Sequence, residues 1–423
     1  MKIYKFGGAS LKNTKVSFEN IYEILKNEKN LIIVISAIDK TTNALEKLVD
    51  AYFDNDEFNF KKILNNITDF HINFAKNLYN NDLRNEHLRS SMKFIEDLLS
   101  DYWNFISFKF EFYYDELYDN VVKAGEIISS FLVAEYLKYK QLQIEWVDIQ
   151  KIIITTANHR DAKVIWKKSK KKVKDRFSNN NSIFVTQGFI GKSANGANTT
   201  LGREGSDYTA AALGYLLNAE SVTVWKDVPG IMNADPVIFP EIAQKIDTLS
   251  FNEAIELAFY GAKIIHPKTI KPLENKNIPL YVKSFLNPEL EGTTIKYLDF
   301  KLNLTPVYIL KENQILISIT PKDFSFIVEK NMSKIFAIFA KENIKVNIIQ
   351  NSAISFSATI DKNVRNFSHL ISKLQKEYIV KYNENLDLIT IRYYNDEAIA
   401  KITKGRTILL EQRSRNTARF VLG

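Results

Sequence analysis

The run Leu31-Ile32-Ile33-Val34-Ile35 presents no polar side chain on either face. A strand of that kind needs both faces covered, which places it inside a parallel sheet rather than at a solvated antiparallel rim. Ile3 to Phe6 reads as a second short buried strand, running directly into Gly7-Gly8-Ala9-Ser10, and strand signals recur at Ile152 to Thr155, Ile183 to Thr186 and Ser221 to Trp225. Helical patterns lie between them, at Gly125 to Tyr139 and Ser206 to Leu217. A long stretch poor in glycine and proline, from about Thr42 to Tyr114, reads as a helical excursion from the sheet. This alternation predicts an α/β sandwich with a mostly parallel sheet over residues 1–298, with the helical insertion at about 44–120.

Ser250-Phe251-Asn252-Glu253 is a capping-box pattern that opens a helix over Glu253 to Tyr260, with Gly261 placed to end it. Asp299 to Pro306 is polar, ends in proline and reads as a linker. Beyond it the order changes: strand at Ile315 to Ile319, helix at Met332 to Lys341, strands at Val346 to Ile349 and Ile354 to Ile360, helix at Val364 to Lys376, strand at Leu388 to Tyr393. That succession fits a ferredoxin-like α+β unit over 307–423, and the last thirty residues or so, with a helix near Glu397 to Thr403 and strands near Thr407 and Arg419, read as a reduced second copy.

Composition removes several classes of chemistry. The 423 residues contain no cysteine, so thiolate nucleophiles, disulfides and cysteine-based metal sites are excluded. His71, His87, His159, His266 and His369 show no metal-ligand spacing. The net charge of +8 comes from 57 basic and 49 acidic residues that are mostly interspersed, which bears on solubility more than on fold. The basic run Lys167 to Arg176 reads as a solvated helix face, so no nucleic-acid partner is expected. No apolar run approaches a membrane span or a signal segment, and the expected location is cytoplasmic.

Six segments could carry chemistry. Lys5-Phe6-Gly7-Gly8-Ala9-Ser10 is either an oxyanion cradle of backbone amides beside a lysine or a tight turn with a surface lysine. Ser36-Ala37 and Thr42-Asn43 stand at a strand end and a helix start, where ligand contacts and helix caps use the same residue types. Gly125-Glu126, with Ser129 and Ser130 on the same helical face, is a functional carboxylate or a solvated helix start. Leu201 to Thr209 combines Arg203, suited to a carboxylate, with flexible glycines and the Ser206-Asp207 pair at a helix N-terminus. Trp225-Lys226-Asp227-Val228-Pro229-Gly230, followed by Asp235, has the turn and carboxylates to hold a nucleotide. Lys263 follows a helix-ending glycine and suits a phosphate or the helix dipole. Gly191-Lys192-Ser193 mimics a Walker-type loop, but Thr186 stands where its first glycine is required.

Taken in order, these blocks resemble the aspartokinases of the amino-acid kinase family over nearly the whole chain. The resemblance implies a three-layer α/β/α kinase domain, ATP with Mg²⁺ as the phosphoryl source, and L-aspartate as acceptor. It implies catalytic roles for Lys5, at the γ-phosphoryl group, and for Asp207, which would orient that lysine. Ser36, Thr42, Glu126, Arg203 and Ser206 would bind the substrate, Arg203 its α-carboxylate and Glu126 its ammonium. Gly7, Gly8, Ser10, Lys226, Asp227, Asp235 and Lys263 would bind the nucleotide, with Mg²⁺ held through its phosphates. The C-terminal region resembles ACT-type domains, implying a homodimer and an amino-acid effector near Met332, Ser333, Val346, Asn347, Asn351 and Ser352.

Departures from the pattern are Ala9, Glu204, Asn347 and Ala353. Glu204 replaces a glycine of many relatives and is expected to point away from the substrate. Asn347 and Ala353 stand where lysine-sensing relatives can carry acids. Two other readings stay open: a non-catalytic amino-acid-binding subunit, and a kinase of this fold for another amino acid.

Overall fold

The computed structural model describes the chain except residues 109–111, 179–181, 263–264, 301–304, 324 and 363–365, together with the side chains of 105–108. Lys263 and the centre of the expected 299–306 linker lie outside the described residues. Two compact units are present. The first comprises Met1–Ile231, Lys245–Ile255 and Ile264–Phe300; the second comprises Met232–Gln244, Glu256–Lys263 and Lys301–Gly423. The second therefore includes two short pieces from within 1–298.

The first unit is built on an eight-stranded sheet. Its spatial order is Thr248–Ser250, Thr293–Lys296, Leu280–Ser284, Ser221–Lys226, Lys2–Phe6, Leu31–Ile35, Ile183–Gln187, Ile144–Val147. The pairs are parallel except Leu280–Ser284 with Thr293–Lys296. Leu31 to Ile35 are all fully buried, as their lack of a polar face requires. The register sets Phe6 beside Ile35 and Trp225, so the strand carrying Lys5 ends level with its neighbours on the side where parallel sheets bind ligands.

The helical excursion consists of Thr41–Phe53, Glu57–Leu78 and Glu86–Phe108, leading to Tyr114–Tyr139. Phe18, Leu45, Leu64, Phe74, Leu132 and Tyr136 from these and neighbouring helices join one core with Tyr4, Ile33 and Phe285 of the sheet side. Gly125 does not start a helix; it lies in the middle of Tyr114–Tyr139. The apolar face already runs through buried Leu117, Val121 and Val122, and a Cβ on Gly125 would stand 2.9 Å from Ala37 Cβ. The glycine therefore marks a close helix-to-strand-end contact, for which a helix tolerates a cost of about 1 kcal/mol.

Other local expectations shift. Of the expected strand Ile152 to Thr155 only Ile154–Thr155 forms, after a 3₁₀ turn at Ile149–Lys151; it pairs with Ile190–Ser193 in a small sheet completed by Asn198–Thr200. Ser250 Oγ accepts the Glu253 amide at 3.1 Å, as the capping pattern requires, in a helix spanning Phe251–Tyr260.

The second unit contains a six-stranded antiparallel sheet, ordered Val346–Asn351, Phe356–Asp361, Val307–Pro321, Tyr378–Arg392, Thr417–Leu422, Ile408–Arg413. The two central strands are each 15 residues long, where the sequence suggested pieces of five or six. Ile315, Ile317 and Ile319 belong to one core with Ile335, Phe339 and Leu370, whereas Tyr308, Ile389 and Ile391 belong to another with Ile399 and Phe420. Polar Glu312 and Asn313, at an irregularity between Lys311 and Gln314, interrupt the apolar pattern without ending the strand.

Candidate active site

Lys5 points from a continuous strand into a cavity of about 580 Å³ that opens at the sheet's C-terminal edge. The side chain is buried, and its Nζ lies 2.6 Å from Asp207 Oδ1. Asp207 stands in the first turn of the helix Gly205–Leu217, where the positive end of the helix dipole favours a carboxylate. The lysine ammonium is thereby pinned at the cavity wall by a buried carboxylate.

Glycines give this wall its shape. A Cβ on Gly8 would stand 2.6 Å from the Ala37 carbonyl oxygen, and one on Gly7 would stand 3.4 Å from Lys5 Nζ. The backbone of this turn can thus approach a ligand where any side chain would obstruct it. The Ser10 amide closes the turn on Gly7 O at 3.0 Å. Gly188 similarly lets Ser206 pack against the neighbouring strand end, its Cβ position being 2.4 Å from Ser206 Cβ.

Glu126 lines the same cavity and is only 4% exposed. One carboxylate oxygen accepts the Ala37 amide at 3.3 Å, while Oε2 has no hydrogen-bond partner among the described residues. Burial pushes its pKa up to about 8, against the opposing pull of the Ala37 amide and the charge of Lys5. A buried acceptor left bare in a polar cavity is a place for a cationic group. Ser129 and Ser130, on the same helix, serve the scaffold: Ser129 donates to Ser36 O at 2.7 Å, and Ser130 Oγ receives Gln187 and Trp146.

Ser36, Thr42, Arg203, Ser206, Lys226 and Asp227 also line the cavity with Gly7, Gly8 and Ser10. Glu204 is also among the residues that line the cavity, with its carboxylate turned to His266, which is not. Its backbone is left-handed, with φ +52°, a conformation natural to glycine, and its carboxylate accepts the His266 amide at 2.8 Å. That bond holds the acid beside Arg203 without leaving it unpaired. Asp235 is not among the cavity residues; it lies in the second unit, where its side chain accepts the Val237 amide. Lys263 is outside the described residues.

Sequence reasoning missed Asp39, Tyr118, Phe189 and Arg160, all of which line the cavity. Tyr118 was legible in principle, lying two helical turns before Glu126 on one face. Arg160 sits in a loop with no motif. The fully buried carboxylate of Asp119 anchors that loop, accepting the Arg160 amide at 3.2 Å, His159 Nδ1 at 2.8 Å and the Thr200 hydroxyl at 2.6 Å.

In the second unit, Met332 and Ser333 lie on the helix Glu329–Lys341, Val346, Asn347 and Asn351 on the strand that follows, and Ser352 in the turn after it. The Asn347 carboxamide donates to Gln314 at 2.8 Å and Asp361 at 2.9 Å, and accepts Lys311 Nζ at 2.8 Å.

Known proteins share the family and the fold of this chain. The amino acid kinase family matches residues 1–284. The chain is 31% identical over 364 residues to the lysine-sensitive aspartokinase 3 of Escherichia coli, covering 85% of this chain and 78% of that protein. It is 29% identical to the chloroplastic aspartokinase 1 of Arabidopsis thaliana over 418 residues, 96% of this chain and 69% of that one. Among solved structures, E. coli aspartokinase III with lysine and aspartate superposes with a TM-score of 0.80 at 26% identity, covering 100% of this chain and 95% of that one. The same enzyme with aspartate and ADP gives 0.78 at 26%, with 100% and 96% coverage. A family match over most of the chain, with a shared fold and a lysine–carboxylate pair at the sheet's ligand edge, leads to one conclusion: the chain belongs to the amino acid kinase family, as an aspartokinase.

Proposed function

We infer that the chain transfers the γ-phosphoryl group of ATP to the side-chain carboxylate of L-aspartate, giving 4-phospho-L-aspartate. The observation that carries this reading is one cavity holding a pinned lysine, an arginine and a buried glutamate with a bare oxygen. An amino-acid zwitterion with a second carboxylate meets each of these groups with the opposite charge. Its side-chain carboxylate is already a nucleophile, so the protein supplies alignment and charge neutralisation rather than a general base.

Lys5 neutralises charge on the transferring phosphoryl group, and Asp207 fixes the lysine through their ion pair. Gly7, Gly8 and Ser10 offer backbone to the phosphates, and Lys226 and Asp227 face the nucleotide; Lys263 is assigned there on sequence alone. Arg203 grips the α-carboxylate, Glu126 takes the ammonium, and Ser36, Thr42 and Ser206 complete the pocket. The wall fits a nucleotide-borne divalent ion, since the metal-binding side chains on it are oxygen groups, Asp207 and Asp227 among them. Bound on the phosphates, Mg²⁺ supplies further charge neutralisation.

The product, an acyl phosphate of aspartate, suits the opening step of lysine, threonine and methionine synthesis in the cytoplasm. The second unit serves dimerisation and amino-acid sensing; exposed Ile408 and Leu409 on its edge strand support the former. Trapping the product as a hydroxamate, with L-aspartate and L-glutamate compared, tests the assignment. Turnover of glutamate instead, or of neither acid by a folded protein that binds ATP, refutes it.

A further inference from the structure

We propose that Arg160 is a second carboxylate-binding residue of the substrate cavity, placed there by the buried Asp119. The proposal rests on the aspartate-kinase reading and deepens it, since that reading leaves one arginine of the cavity without a role.

Three observations carry it. Arg160 lines the cavity although it belongs to an irregular loop, and its backbone is held at φ +62°, a conformation few non-glycine residues adopt. The fold secures that conformation with a fully buried carboxylate, because Asp119 accepts the Arg160 amide directly. The same carboxylate takes the hydroxyl of Thr200, three residues before Arg203, so one anchor organises the backbones that carry both arginines. The two loops touch: a Cβ on Gly202 would stand 3.0 Å from the Arg160 carbonyl oxygen.

The guanidinium is positioned but weakly committed. It stacks over the Tyr118 ring at 4.4 Å, and Tyr118 lines the cavity. Its partner Asp115, at 3.1 Å, is 58% exposed, and the arginine side chain is 46% exposed. An ion pair that open to water holds its partners loosely. A dicarboxylic amino acid brings two carboxylates, and Arg203 can serve only one of them in a bidentate grip. Arg160 moves from Asp115 to a substrate carboxylate while remaining on the Tyr118 ring.

The test is equilibrium binding of L-aspartate without ATP, alongside steady-state kinetics. Arg160→Ala is expected to weaken aspartate binding about 10- to 100-fold, the scale of a charge-assisted hydrogen bond, with KM for ATP unchanged. Arg160→Lys should recover part of the loss, keeping charge but not the planar fork. Asp115→Ala, which frees the arginine, should tighten aspartate binding by up to about fivefold. A purely structural staple between loop and helix makes the opposite forecast, with Asp115→Ala weakening binding. Asp119→Asn, and Thr200→Val as the milder change to the same anchor, should raise KM for aspartate more than they change kcat. Equal aspartate affinity in Arg160→Ala and the parent overturns the proposal, as does weaker binding in Asp115→Ala. A parent that binds L-aspartate without phosphorylating it counts instead against the function proposed above.

Discussion

With Glu126 taking the substrate ammonium as proposed, aspartate binding should be proton-linked. Its carboxyl titrates near pH 8 rather than 4.5 because burial disfavours its charge, and one oxygen has no partner among the described residues to offset that cost. At pH 7 only about a tenth of the ligand-free protein then carries the carboxylate that an ammonium needs. Binding at pH 7 should release about 0.9 proton per aspartate, read by calorimetry in two buffers of different ionisation enthalpy. Apparent affinity should rise about tenfold from pH 6 to 7 and level off above 8, the substrate's own ammonium losing its proton only at higher pH. Glu126→Gln should flatten the profile and, at pH 8.5, weaken binding by about 10- to 100-fold. Stability follows the same linkage. A carboxyl whose folded pKa is raised contributes fully below the unfolded value and loses that contribution as pH rises through the folded one. At about 1.4 kcal/mol per pH unit, the loss is bounded at about 5 kcal/mol. Ligand-free Glu126→Gln should therefore melt above the parent at pH 8.5 and level with it at about pH 4. An aspartate affinity independent of pH between 6 and 8, or the same slope in the glutamine variant, refutes the reasoning.

Four further outcomes are expected. Lys5→Ala should lower kcat by about a thousandfold, checked by hydroxamate formation, and an unchanged kcat removes the lysine from the chemistry. Gly8→Ala should cost about 1 to 3 kcal/mol in denaturant titration, because the obstructing atom is a backbone oxygen 2.6 Å away. Glu204→Gly should be more stable than Glu204→Ala by about 1 kcal/mol, since both lose the bond to His266 but only glycine relieves the left-handed backbone. L-lysine should leave the rate unchanged, because the Asn347 carboxamide is already engaged by Lys311, Gln314 and Asp361; inhibition assays with Asn347→Asp beside the parent check this.

The parts of the fold legible in the sequence are those where burial alone decides. Leu31 to Ile35 has only one way to satisfy its side chains, and Ser250 with Glu253 fixes a helix start by local hydrogen bonding. The strand Ile144–Val147 was not legible: it pairs on one side only, and its Glu145 faces out to Arg176. Gly125 misled because a glycine ahead of a helical pattern looks like a boundary, whereas here its missing side chain admits Ala37. At the site, Lys5, Arg203 and Asp207 were marked by the order of their blocks along the chain, through the resemblance to the aspartokinases, residue type alone leaving a turn or a cap as alternatives. Arg160 was not, because its place depends on Asp119, 41 residues away in sequence.

The two central strands of the C-terminal sheet each run through both of its cores, Val307–Pro321 alongside Tyr378–Arg392. Neither half can melt alone without tearing a ladder that the other half still needs. Amide exchange in the two halves should therefore proceed through a single shared opening event, with matched protection at Ile317 and Ile389, and a cavity cut in either core, such as Phe339→Ala or Phe420→Ala, should accelerate exchange in both.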